Sequence, residues 1–232
     1  MTNPRWLKIA LKLEQRHSDV FRDLVTLDAC VCSSGQREDE YRLTAGKFTS
    51  EELNGLCEAF GDLLRLKLED PFLDLFSETY MGRLGKDAQR HLGEVYTPSS
   101  VALLMTKLVM HPPVPGDTLK VAEPAAGSGT LVLAAAHALE DLGVSRLHMQ
   151  VVATDLNPCA VDMALVNLGL ASIPAVVRHG NSLTGQVFRE YSTPAWPFAC
   201  PYSGEPDTNR LQGSDVLGIL RLTVPLPVET TG

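Results

Sequence analysis

Apolar residues recur at spacings of three and four from Pro4 to about residue 84, the periodicity of helices with one buried face. Pro4 to Arg16 sets Trp6, Ile9, Ala10 and Leu13 on one face and Arg5, Lys8, Lys12 and Arg16 on another. This basic stripe reads as a solvated helix face, with a phosphate-contacting face as the alternative. Thr49 opens a second helix, Glu52 three residues later completes a capping box, and Leu53, Leu56, Cys57, Phe60, Leu63 and Leu64 form the stripe. Ser33 to Lys47 is polar and predicts a loop. Asp70-Pro71 reads as an N-cap with proline at the first helical position, followed by Phe72, Leu73, Phe76, Tyr80 and Leu84 on a buried face.

The pattern changes from residue 91. Thr97-Pro98 starts a helix striped by Val101, Leu104, Met105, Leu108 and Val109, which ends at the run from His111 to Gly116. Short apolar runs then alternate with helical ones. Strands are predicted at Leu119–Ala122, Met149–Ala153 and Ala175–Arg178, with helices at Thr130–Leu142 and Pro158–Leu170 between them. Such alternation predicts an α/β fold with a parallel sheet and crossover helices. Ligands of these sheets sit at the carboxyl ends of the strands. After Ser182 the periodicity fades. Residues 193–232 carry six prolines, and only Val216 to Val224 reads as one more strand. The expected organisation is a helical region over residues 1–90 and a sheet domain over 91–232.

Composition narrows the class. The net charge of −8 means that a nucleic-acid partner needs a local basic patch or a second protein, because phosphate neutralisation supplies most of such affinity. The five cysteines are scattered, and Cys30-x-Cys32 has no second pair, so they read as reduced thiols and no metal site is expected. No apolar run nears the roughly 20 residues of a membrane span, and the first residues lack the apolar block of a signal peptide. The expectation is a cytoplasmic protein off the membrane.

The chemistry concentrates after the first strand, in Glu123-Pro124-Ala125-Ala126-Gly127-Ser128-Gly129-Thr130. Glycines here let backbone approach a ligand with no Cβ in the way. A dinucleotide fingerprint requires a third glycine where Val132 stands, and a phosphate-cradling loop requires a lysine that this loop lacks. Asp155 ends the next strand, beside the glycine loop in a parallel sheet, where a carboxylate can accept hydrogen bonds from two ribose hydroxyls. Capping of the helix at Pro158 is the plainer alternative. Gly180-Asn181-Ser182 follows the third strand, either as a common turn or within reach of an adenine amine.

The ordered set Gly93-Glu94-Val95-Tyr96-Thr97-Pro98, Glu123 to Gly129, Asp155-Leu156 and His179-Gly180-Asn181-Ser182-Leu183 resembles the cofactor half of the N6-adenine DNA methyltransferases. The likeness is to the modification subunits of type I restriction systems and their phage and mobile-element relatives, over roughly residues 70–195. It implies a truncated, Rossmann-like class I methyltransferase sheet with an N-terminal helical region, and S-adenosylmethionine as cofactor. It further implies that Tyr96, Thr97 and Pro98 lie over the methionine part, that Glu123, Gly127 and Gly129 surround the amino-acid end and sulfonium, that Asp155 holds the ribose, that Leu156 packs on the adenine and that Asn181 meets its amine.

Relatives of this kind flip the target base and hold its amine with an Asn-Pro-Pro-Tyr or Asn-Pro-Pro-Phe segment soon after the third strand. This chain has no such tetrapeptide. Thr193-Pro194 with Trp196 is the nearest candidate for a degenerate catalytic segment, against a proline-rich surface loop with one aromatic anchor. The remaining residues are too few for the further strands and target-recognition region of the family, so DNA would be read through a partner or specificity subunit. Homo-oligomerisation is left open. The leading expectation is an N6-adenine DNA methyltransferase or a subunit of one, within restriction–modification. The alternative is a non-catalytic S-adenosylmethionine-binding regulatory or anti-restriction protein of a mobile element.

Overall fold

A computed structural model describes residues 4–84 and 97–205. The expectations for Tyr96 and for a strand at Val216 to Val224 fall outside these residues. Five helices come first: α1 (Arg5–Leu13), α2 (Val20–Val31), α3 (Glu38–Ala45), α4 (Ser50–Glu69) and α5 (Ser77–Arg83). After α6 (Ser99–Val109) the chain alternates through β1 (Leu119–Glu123), α7 (Thr130–Asp141), β2 (Met149–Asp155), α8 (Pro158–Leu170), β3 (Ala175–Asn181) and β4 (Gln186–Ser192). The strands form one sheet in the order β1-β2-β3-β4. The ladders β1–β2 and β2–β3 are parallel, and β4 returns antiparallel to β3.

The strand–helix alternation is as the sequence predicts, and α8 has the predicted bounds. Every residue of α8 after Pro158 is buried, and Asn157 caps it by accepting from the Cys159 amide at 2.9 Å. The helix is buried because the sheet covers one side and α2 the other. A single buried apolar cluster therefore runs from Trp6 through Phe76 to Ile173 and Tyr202. Trp6, Phe21 and Phe76 meet at its N-terminal end with ring centroids 5.8–6.3 Å apart. Arg37 joins α3 to α8 through a 2.6 Å ion pair with Asp162, which also accepts from Thr26 of α2. Breaking one side of such a pair strands a buried charge, at a cost of about 3–5 kcal/mol.

Four elements differ from expectation. The polar stretch Ser33 to Lys47 holds α3, because Arg37 is drawn inside by Asp162 while Glu38, Asp39 and Glu40 suit a helix N-terminus. Helix α2 drew no expectation of its own: most of it is buried against α8, and Arg22, Asp23 and Thr26 make a short polar side. Asp70-Pro71 starts no helix: Asp70 ends α4, and its side chain accepts from the Phe72 amide at 3.0 Å. Helix α5 begins later, where Asp74 accepts from the amides of Phe76 and Ser77 at 3.1 and 3.2 Å. Finally, α6 turns its small residues inward. Ala102 and Thr106 are buried and the Thr106 hydroxyl reaches the Ala134 carbonyl, whereas Val101, Leu104, Met105, Leu108 and Val109 are exposed among the described residues. No helix among the described residues is long and apolar enough to cross a membrane.

Lys67 lies inside this scaffold, 2% exposed, and its amine donates to the Pro71 carbonyl. Burial pushes it down from 10.5 to about 7, against the pull of Asp74 and Asp70. The unfolded chain then binds the extra proton between these values, so stability rises as pH climbs from about 7 towards 10.5. Urea unfolding over that range is expected to show this slope, and Lys67→Met should flatten it.

Candidate functional site

The parallel register brings three strand ends together. Glu123 pairs with Ala153 in β1–β2, and Asp155 with His179 in β2–β3, so Glu123, Asp155 and Asn181 all finish on the carboxyl side of the sheet. The glycine loop between β1 and α7 lies over this edge. Gly127 and Gly129 have φ of +54° and +89°, a region that side chains other than glycine rarely enter. A Cβ on Gly129 would also press on Leu168 at 3.4 Å. The dipole of α7 puts partial positive charge at this end.

The loop is tied down at each turn. The Asp155 carboxylate accepts from the Gly127 amide through Oδ2 and from the Asn157 amide through Oδ1, both at 2.8 Å. The Ala126 amide donates to the Thr154 carbonyl, and Glu123 Oε1 accepts from the Ala125 amide at 3.0 Å. Asp155 thus fastens the loop as well as facing the ligand edge. Its two oxygens each keep a second lone pair for a hydroxyl donor.

Sequence reasoning missed Asp74. Its carboxylate accepts from Ser128 Oγ at 2.6 Å and from Thr130 Oγ1, while Asn167 of α8 donates to it at 3.1 Å and to the Ser128 carbonyl at 2.9 Å. Burial works to raise this carboxyl, but the bonds from Ser128, Thr130, Phe76 and Ser77 outweigh it and hold the group below its ordinary value. The sequence carries no local signal for it, since Ser128 and Thr130 lie 54 and 56 residues downstream.

Thr97 and Pro98 lead into α6, whose first-turn residues Ser99 and Ser100 share a cavity of about 200 Å3 with Asp74 and Thr130. This sets them beside the start of α7. Leu156 is 60% exposed next to Asp155, an apolar side chain open to a planar ligand. The Asn181 oxygen accepts from the amides of Leu183 and Thr184 at 3.0 and 3.3 Å, so the amide nitrogen is the free part of that side chain among the described residues.

The structure does not bring Thr193, Pro194 and Trp196 to this edge. Strand β4 runs back along β3, and Ser192 pairs with Val176, near the amino end. Thr193 is fully buried there, donating to the Ile173 carbonyl at 2.7 Å and accepting from the Ala175 amide at 3.0 Å. Its hydroxyl is spent on closing the sheet, and Pro194 is buried beside it. Among the described residues no group of three or more His, Cys, Asp or Glu could hold a metal ion.

Residues 69–204 match the family described as N-6 DNA methylase, and the chain belongs to that family. The matched span begins before Asp74 and covers the loop, Asp155 and Asn181. A similar solved structure is a Listeria monocytogenes protein assigned to the class I S-adenosylmethionine-dependent methyltransferases. The two share 14% identity over 77% of this chain and 53% of that one, with a TM-score of 0.41. The chain thus spans about half the length of that protein.

S-adenosylmethionine is the cofactor of this class, and the residues present fit it. Glycines at positive φ leave room for close approach, Asp155 and Glu123 supply acceptors, and Leu156 supplies an apolar face. Asp74→Ala removes no group that faces this ligand edge, but it frees Ser128 and Thr130. Calorimetry is expected to show S-adenosylmethionine affinity reduced about tenfold or more, as bonds to a charged acceptor are each worth about 1.5–3 kcal/mol. Unchanged affinity would refute the loop-holding role.

Proposed function

We propose that the chain acts as an S-adenosylmethionine-dependent methyltransferase, or the cofactor-binding subunit of one, on the N6 amine of adenine in DNA. The observation that carries this reading is the bond from the Gly127 amide to Asp155 Oδ2, which joins glycine loop and ribose-side carboxylate at one strand edge within the matched family span. Bound there, S-adenosylmethionine supplies an electrophilic methyl group on a positively charged sulfur. Asp155 would accept from the ribose hydroxyls with the lone pairs left over from Gly127 and Asn157. Glu123, with Oε1 holding the loop, would offer negative charge to the cationic end. Leu156 would cover the adenine face. Asn181, whose oxygen already accepts from the Leu183 and Thr184 amides, would not meet the adenine amine as the resemblance implied but would donate to a ring nitrogen through its own amide. Thr97 and Pro98, with Tyr96 ahead of them, would close the methionine side.

The substrate amine needs an acceptor, because its lone pair is delocalised into the ring and gains nucleophilicity only when its protons are held. A specific observation favours a second reading at this point. Thr193, Pro194 and Trp196 stand at the amino end of the sheet, so the described residues supply the cofactor half without the base-holding half. A non-catalytic S-adenosylmethionine-binding component of a mobile element fits that division. In both readings a partner or specificity subunit carries target readout, and the described helical residues up to 84 hold the loop through Asp74.

Two measurements separate the readings. Calorimetric titration with S-adenosylmethionine is expected to release heat, and silence would remove both. Transfer of labelled methyl to adenine-containing DNA is expected from the enzyme, and inactivity on varied DNA with the operon's other products added would leave the binding component. Asp155→Ala should weaken cofactor binding by about 1.5–3 kcal/mol for each charged hydrogen bond lost. Wild-type affinity in that variant would contradict the ribose assignment.

A further inference from the structure

Two open cavities adjoin at the N-terminus of α8, immediately past Asp155. The larger, about 710 Å3, lies between α2, α3 and the β3–β4 edge, and the smaller, about 650 Å3, reaches Tyr80 and Asn157. Asp19 and Arg22 line both, so together they make one trough leading away from the cofactor edge. Its walls are rich in cations in a chain whose net charge is −8.

Of the carboxylates that line the trough, Asp23, Glu40 and Asp162 are committed to cations, and Asp19 accepts from the Arg22 amide at 3.4 Å. Asp162 and Glu40 hold Arg37 at 2.6 and 3.0 Å, and Asp23 holds Lys47 at 2.6 Å. Glu52 Oε1 lies closer to His17, at 3.2 Å, than to Arg16, at 3.7 Å, while its other oxygen accepts from the Thr49 amide. Arg189 comes no nearer to Glu40 than 3.9 Å. Arg22 makes no side-chain ion pair or hydrogen bond to the described residues. Arg22 therefore borders this concave surface with no anionic partner among the described residues, and Arg16 and Arg189 border it in long ion pairs of 3.7 and 3.9 Å. A merely solvated helix face would spread its cations over convex surface and pair them along the helix, as Arg42–Glu38 and Arg65–Glu69 do here. Convergence on a hollow is the arrangement that concentrates positive potential.

Aromatic surface accompanies the charge. Phe188 beside His179 is 46% exposed on the same edge, while Tyr191 lines the trough with the Arg37 guanidinium over its ring at 4.7 Å. Guanidinia with exposed rings suit a chain of phosphates carrying planar bases. We propose that this trough, bordered by Arg16, Arg22 and Arg189, takes the phosphodiester backbone of a nucleic-acid strand and leads it towards the cofactor edge. The inference rests on the methyltransferase reading for its sense of direction, but the binding itself does not depend on the cofactor. Of the basic stripe between Pro4 and Arg16, only Arg16, past the end of α1, reaches this surface.

The test is anisotropy of labelled duplex and single-stranded oligonucleotides with the full chain, titrated with salt. Arg22→Gln with Arg189→Gln is compared with Arg5→Gln and Arg42→Gln, which removes the same charge outside the trough. The trough pair is expected to bind about tenfold or more weaker at low salt, and to lose up to about 1.8 from the duplex salt slope, about 0.9 for each phosphate contact. The control pair should stay near wild type. Equal weakening in both pairs, no weakening in either, or no oligonucleotide binding by the wild type would each overturn the trough. Calorimetry with S-adenosylmethionine on the same samples keeps the two ideas apart. Cofactor binding without oligonucleotide binding defeats the trough alone, and the reverse defeats the methyltransferase reading alone.

Discussion

The glycine loop after β1 is held little by backbone bonds of its own: the Ala125, Ala126 and Gly127 amides donate to Glu123, the Thr154 carbonyl and Asp155, while Gly129 donates within the loop to the Ala126 carbonyl. Side chains from outside have to fix it, and the Asp74 carboxylate is the main one. Asp74 gathers two loop hydroxyls, the first amides of α5 and the amide of Asn167 on α8. Asn167 in turn accepts from the Leu75 amide at 3.1 Å and grips the Ser128 carbonyl. The network crosses from the helical region to the sheet through buried α8. Loop geometry, and hence cofactor binding, therefore depends on residues well upstream of the first strand.

The sheet has two ends with different duties. At the carboxyl end, Glu123, Asp155 and Asn181 converge with the loop. At the amino end, Thr193 closes the β3–β4 pair from within the core, and the chain passes on to Tyr202, whose amide donates to the Asp117 carbonyl at 2.9 Å. An antiparallel β4 makes this unavoidable: a hairpin from the end of β3 must carry the following residues back to its start. Thr193, Pro194 and Trp196, carried to that end, are therefore far from the strand ends where Glu123, Asp155 and Asn181 converge.

What the sequence made legible follows the same physics. The strands and α8 could be read because they are largely apolar, and Gly127, Gly129 and Asp155 because a tight turn and a strand-end carboxylate leave plain signatures. Helix α3 was hidden because its anchor, Arg37, is a cation buried by a partner 125 residues away. The stripe of α6 misled because close packing of Ala102 and Thr106 against α7 outweighed apolar area. Asp74 was invisible for the same reason as α3: its donors lie 54 and 56 residues downstream. Thr193-Pro194 looked chemical only while the direction of β4 was unknown.

Asp155 and Asp74 complement each other in what they can reveal. A carboxylate offers about four lone-pair sites, and Asp155 uses two on the backbone of its own loop. Loss of Asp155 therefore mixes two effects, disorder of the loop and removal of acceptors from the ligand edge. Asp74 acts on the loop from behind, through Ser128 and Thr130, so its loss reports the first effect by itself. If loop order were the whole contribution of Asp155, removing it from a chain already lacking Asp74 would cost little more. A penalty that persists in the double variant belongs to direct contact, the part that a cycle of the two substitutions isolates.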